Sequence, residues 1–192
     1  MAGSNREQLK GLKVAVLLTD GFEQAEFVGP RDALTAAGAQ VTVIAPKAGE
    51  IQGFKHHDKA DKFKAEKSLD QVNAADFDAL LLPGGALNAD ALRVEKKAQE
   101  FAREIDQAGK PIAVICHAPW LLVSSGLVQG RKLTSYHTIQ DDMRNAGAQW
   151  EDSEVVRDKN WVSSRQPADI PAFNREMIDL FGERLAGNRR AA

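Results

Sequence analysis

The chain has 192 residues, 43% of them hydrophobic and 27% charged, enough for one folded domain that buries roughly 70% of its unfolded surface. Its formal net charge of -2 excludes a global basic field for nucleic acid or anionic membrane, and no apolar run approaches the ~18 residues of a membrane span. The single cysteine excludes an internal disulfide, so a cytoplasmic location is expected.

Met1 to Lys10 is polar and lacks the apolar centre of a signal peptide. It reads as a flexible extension ahead of one domain over 11–186 and a polar tail over 187–192. Val14 to Leu18 is a short apolar run of the kind expected for a strand buried on both faces. It stops at the turn signal Thr19-Asp20-Gly21. A helix from about Glu23 to Ala37 follows, closed by Gly38, and Val41 to Ala45 is the next buried strand. This β-α-β opening implies parallel pairing with a right-handed crossover. Pro46 to Lys67 turns polar and lysine-rich and predicts a surface hairpin or loop excursion.

Asp78 to Leu82 resumes a buried strand and breaks at Pro83-Gly84-Gly85. Helices are expected at Asn88 to Arg93 and Glu95 to Ala108. Ile112 to Ile115 is a fourth buried strand and ends at Cys116, with a helix from Ala118 to Ser125. Then come a strand at Lys132 to Ser135, a helix at Thr138 to Asn145, and two short strands at Glu154 to Arg157 and Asn160 to Ser163. A last amphipathic helix spans Ala168 to Leu185. The alternation predicts a doubly wound, flavodoxin-like α/β/α sandwich with a mostly parallel sheet. Sites in such folds lie beyond the carboxyl ends of the strands. The segments leaving those ends are Thr19 to Glu26, Pro83 to Asp90 and Cys116 to Trp120.

A lone cysteine is usually a small buried hydrophobe. Cys116 instead stands between a strand and a helix, where a nucleophile elbow holds a side chain out over the sheet. The helix N-terminus and the adjacent His117 are expected to lower its thiol pKa, and backbone N–H groups after the elbow can hold an oxyanion. One cysteine and four histidines give no zinc-ligand spacing. Gly84-Gly85 lacks the lysine of a phosphate loop, so no nucleotide site is expected. His56 and His57 read as surface residues.

Three segments carry a family resemblance: Leu18 to Glu26 (LTDGFEQAE), Phe77 to Gly85 (FDALLLPGG) and Ala113 to Pro119 (AVICHAP). Taken in order they resemble the signature blocks of the ThiJ/PfpI superfamily, the group of PfpI-type intracellular proteases and Parkinsonism-associated deglycases. Gly130 to Tyr136, Asn145 to Ala148 and Trp161 to Arg165, with Pro167, Asp169 and Pro171, resemble its PfpI branch. The match runs from about Lys13 to Phe181.

The resemblance implies that Cys116 is the reactive cysteine and His117 its neighbouring histidine. It implies that Glu26 is the glutamate set against the sulfur; a carboxyl in such a pocket should stay protonated through desolvation. Gly84 and Gly85 match the turn that brings a backbone N–H to the substrate. Asp90 matches an acid that orients the histidine of a neighbouring subunit in a homo-oligomer; by residue type it is equally a helix cap. The chain departs from the family at Val114 and Ala118, where smaller or more polar residues are usual, so substrate space is in question there. Bulky Trp120 reads as packed on the core or at an interface.

The implied function is a stress-response enzyme acting on reactive carbonyls, methylglyoxal or glycated adducts, with no external cofactor and no metal. An intracellular cysteine protease and a non-enzymatic redox sensor are the alternatives.

Overall fold

A computed structural model describes residues 7–191. The chain runs β1 (Lys13–Leu17), β2 (Phe22–Glu23), α1 (Gln24–Ala36), β3 (Gln40–Ala45), β4 (Gly49–Lys55), β5 (Asp58–Ala65), β6 (Lys67–Ser68), β7 (Ala79–Leu82), α2 (Ala86–Arg93), α3 (Lys96–Gln107), β8 (Ile112–Ile115), α4 (Pro119–Ser124), β9 (Lys132–Leu133), α5 (Gln140–Asn145), β10 (Gln149–Trp150), β11 (Val155–Asp158), β12 (Trp161–Ser164) and α6 (Ile170–Ala191). The main sheet has the order β11-β12-β8-β7-β1-β3-β6. All of its pairs are parallel except β11 with β12, which turn back on each other at Asp158 and Trp161.

Alternation along each strand splits the core in two. Val14, Val16, Leu81, Ala113 and Ile115 face Phe27 and Leu34 of α1 and Phe173, Met177 and Phe181 of α6. Ala15, Leu17, Leu80, Leu82, Ile112 and Val114 face Phe101 and Ile105 of α3, Leu121 and Leu122 of α4, and Met143 of α5. The apolar runs are continuous because both faces of every central strand are covered. The predicted three-layer α/β/α sandwich is the architecture found.

Several boundaries differ from the sequence reading. Within the expected N-terminal extension, Leu9 is fully buried and its N–H bonds Ala37 O at 2.8 Å, so this part packs on the domain. Residues 1–6 of that extension, and residue 192 of the tail, lie outside the described residues. Helix α6 continues through the expected tail as far as Ala191. The 46–67 excursion is a hairpin of β4 and β5, and β2 joins it in a separate three-stranded sheet. The strand expected at Lys132 to Ser135 is two residues long and pairs with β10 outside the main sheet. The end of α1 follows the reading: Gly38, at φ +92°, lets Ala39 N–H reach Leu34 O at 3.0 Å and Gly38 N–H reach Thr35 O at 3.0 Å.

The chain passes from β1 outward to β3, then returns to the opposite side of β1 as β7. A crevice opens at such a switch point. The loops after β1, β7 and β8 meet there.

Candidate active site

Cys116 is the first residue after β8 and takes φ +64°, a left-handed conformation that a non-glycine residue adopts only when its surroundings hold it there. Three bonds do so. Its N–H donates to Ser164 O on the neighbouring strand at 3.1 Å. Its carbonyl accepts the Tyr136 N–H at 2.9 Å, and Ala118 N–H closes the turn on Ile115 O at 3.1 Å. Pro119 then starts α4, where its missing N–H costs nothing. The elbow anticipated from strand and helix order is therefore present.

The turn after β7 lies against this elbow. A Cβ on Gly84 would fall 2.6 Å from the Cys116 Cβ and 2.8 Å from Ile115 O, and would also collide with the Glu26 carboxyl. Gly85, at φ +93°, has no room for a side chain either: a Cβ there would meet Glu23 N and Gly21 O, each at 2.5 Å. Asn88 clamps the turn. Its side-chain amide donates to Pro83 O and Gly84 O, each at 3.0 Å, and its Oδ1 accepts the Thr19 N–H at 2.7 Å, tying the β1 loop to the β7 loop.

Glu26, in the first turn of α1, is fully buried. Neither carboxyl oxygen is met at full hydrogen-bond geometry by a described residue, although the Cys116 side chain and the Gly84 backbone lie beside it. Burial, foremost, lifts its pKa from 4.5 to about 8, and the charge of Glu23 adds to the lift. Glu26 thus holds its proton at neutral pH.

The thiol departs from expectation. Burial pushes the Cys116 pKa up rather than down, and an ionised Glu26 would push it further. The N–H groups of Gly85 and His117 oppose both effects by donating toward the sulfur. The helix dipole that the sequence suggested acts on a group only 6% exposed, and desolvation outweighs it. While Glu26 is protonated its repulsion is absent, and its O–H can donate to sulfur.

His117 completes the pair, with Nδ1 3.1 Å from Cys116 Sγ. Burial lowers its pKa, and the neighbouring His137 lowers it further. A neutral imidazole is a proton acceptor, so Nδ1 can take the thiol proton. On the far side Nε2 stands 3.3 Å from Thr138 Oγ1, and the ring stacks on Tyr136 with centroids 4.9 Å apart. Sequence reasoning does not single out Tyr136 and Thr138 as site residues; the available signals are the PfpI-like stretch that ends at Tyr136 and their position just beyond a strand end.

Asp90 is the fifth residue of α2, exposed to solvent, and makes no hydrogen bond or ion pair within the chain with His117, whose ring nitrogens meet Cys116 and Thr138. It does not cap the helix; Gly85 holds the N-cap position. Val114 and Ala118 are buried in the core layer beneath α3 and α4 and do not line the site, so these departures leave the substrate space untouched. Trp120 packs against the same layer, donates its indole N–H to Asp142 Oδ2 at 2.7 Å and sets its ring edge-to-face on His117 at 5.4 Å.

A cavity of about 500 Å³ opens over the sulfur. Glu26, Gly85, Cys116 and His117 form its floor. Phe54, His56 and His57 come from the hairpin, with Tyr136 and Gln166 on the remaining sides. His56 and His57 are exposed, as expected, yet both face the site. Among the described residues no group of His, Cys, Asp and Glu is placed to hold a metal ion.

The profile of the DJ-1/PfpI family matches residues 12–180. The chain belongs to the DJ-1/PfpI family. Its relatives include the protein/nucleic acid deglycase 2 of Escherichia coli (strain K12), 46% identical over 88% of this chain and 98% of that protein. Another is YraA of Bacillus subtilis (strain 168), whose name offers cysteine protease only provisionally; it is 43% identical over 88% of this chain and 97% of that protein. Among solved structures, a two-domain Anabaena variabilis protein with DJ-1/ThiJ/PfpI-like and ferritin-like domains superposes with a TM-score of 0.84 at 31% identity. That match covers 89% of this chain and 48% of the two-domain one. The relatives' names support an enzyme of the DJ-1/PfpI family.

Proposed function

We propose that this DJ-1/PfpI protein is a cytoplasmic stress-response enzyme that uses Cys116 to process reactive carbonyls, either methylglyoxal or its adducts on amino groups. The observation that carries the reading is the elbow itself: a buried sulfur 3.1 Å from a neutral imidazole nitrogen, beside a protonated Glu26, under a cavity of about 500 Å³. His117 Nδ1 takes the thiol proton as sulfur adds to the aldehyde carbon, and the oxygen becomes a hemithioacetal hydroxyl. The N–H groups of the elbow and of Gly85 hold the developing oxyanion. With methylglyoxal, a proton moves from C1 to C2 through the enediol, giving a lactoyl thioester. Water then releases lactate and restores the thiol. With an amino adduct the nitrogen leaves as the free amine. His117 and Glu26 move the protons, and no external cofactor enters.

Peptide hydrolysis is the second reading, and the name of the Bacillus relative favours it. The cavity is walled on several sides and sized for a small adduct, which favours carbonyl chemistry over an extended peptide.

The reading includes a homo-oligomer. Asp90 shares the solvent side of α2 with Leu87 and Val94, which are 62% and 70% exposed, and Leu87 also lines the cavity. A second copy docked on this face would bring Asp90 to a neighbouring His117.

The test compares wild type with Cys116→Ser for glutathione-independent conversion of methylglyoxal to lactate. Turnover that falls by about two orders of magnitude or more in the variant supports carbonyl chemistry at this sulfur. Equal rates, or none in either protein, remove it, and cleavage of unfolded protein by the same pair then tests the protease reading.

A further inference from the structure

The cavity over Cys116 is lopsided in charge. Glu23 and Glu26 are its acids, and among the described residues no lysine or arginine lines it. Glu26 is buried and protonated at neutral pH, which leaves Glu23 as the fixed acidic group of the wall.

Glu23 is held firmly. It is the N-cap residue of α1, and its N–H donates to Gly84 O at 3.2 Å. Its Oε2 accepts the backbone N–H of His56 at 2.9 Å, at a hairpin tip where His56 itself takes φ +57°. No described residue donates a hydrogen bond to Oε1, and Glu23 lines the cavity. Phe54 and Tyr136 also line the cavity, the Tyr136 ring packed against His117 and His137. A carboxylate in such a wall suits an ammonium or guanidinium group, through charge-assisted hydrogen bonds. The lysines of the hairpin, Lys55, Lys59, Lys62 and Lys64, are exposed and do not line the cavity. Nothing in the lining offers a fixed cation to a phosphate or a carboxylate.

We propose that Glu23 is a specificity-determining residue that makes this site select cationic ligands, adducts carried on a guanidinium or ammonium group, over anionic ones such as adducts on nucleotide phosphates. The identity of the ligand as a substrate rests on the carbonyl reading above; the charge preference belongs to the cavity alone.

Because Cys116 is the single cysteine, its modification rate reports the potential at the sulfur. Methanethiosulfonates bearing a trimethylammonium, a neutral methyl or a sulfonate group each form a mixed disulfide and release methanesulfinate. They are compared on wild type and Glu23→Gln at about pH 7, where Glu26 holds its proton. The glutamine keeps an oxygen for the His56 N–H, and the neutral reagent corrects for access and thiolate content. The expected result is a cationic-to-anionic rate ratio that falls about 10-fold or more in Glu23→Gln. An unchanged ratio overturns the proposal. A second measurement needs no variant: N-acetylarginine amide should protect wild-type Cys116 from the neutral reagent at concentrations where inorganic phosphate does not, and equal protection by both overturns it. Neither readout requires turnover, so failure of the methylglyoxal assay removes the carbonyl reading and leaves this one to its own result.

Discussion

Glu26 shows how one buried side chain sets the working pH of the site. Its carboxyl is desolvated between α1 and the elbow, and its pKa rises from 4.5 to about 8. Below 4.5 it is protonated in both folded and unfolded chains. Between 4.5 and about 8 the unfolded chain gives up this proton and the folded one does not, so this residue's contribution to stability is lost as pH rises. Glu26→Gln removes the dependence. Thermal unfolding of both proteins from pH ~5 to ~8.5 should show the variant gaining on wild type as pH rises, by on the order of a few kcal/mol. A constant difference would mean that Glu26 is ionised in the folded protein. The sequence resemblance pointed to this glutamate. It could not show that the same burial would raise the cysteine as well, because desolvation is a property of the assembled site.

At the scale of the element, the elbow depends on the turn after β7. Gly84 is needed for space rather than for backbone freedom, since a Cβ there would press on Cys116 and Glu26. Gly84→Ala should lower stability by about 1–3 kcal/mol and cost most of the activity, because the sulfur and the carboxyl must move apart. Gly126, at φ +73° with nothing within 4 Å of a Cβ, is the comparison: alanine there should cost about 1 kcal/mol and leave turnover intact. Denaturant unfolding and the methylglyoxal assay on both variants separate packing from strain. If the two variants behave alike, Gly84 is a plain turn residue. Elements with strong local signals, such as β1, β7, β8 and the capped end of α1, were readable from sequence. The short strands β2, β6 and β10 were not. Two residues carry too little pattern, and their pairing is decided by what lies alongside.

For the whole molecule, the open question is association. An exposed stripe of Leu87, Asp90 and Val94 beside the cavity mouth is the surface on which the proposed oligomer would form. Light scattering of wild type and of Leu87→Asp/Val94→Asp should show an oligomer for the first and a monomer for the second. If Asp90 orients a neighbour's His117, Asp90→Asn should lower kcat by ~10-fold or more without changing the mass. A wild-type monomer with full activity would end the proposal.

Residue order alone determined the architecture, because strands buried on both faces must be apolar throughout and must alternate with helices that cover them. It also placed candidate chemistry at the strand ends, where the family resemblance singled out Cys116, Gly84 and Glu26. Tertiary structure decided the rest. The stack of Tyr136 on His117, the Asn88 clamp, the Glu23 carboxylate on the cavity wall and the upward push on the Cys116 thiol arise where segments distant in sequence converge. Local pattern carries no record of such contacts; they exist once the sheet has brought its loops together and excluded water.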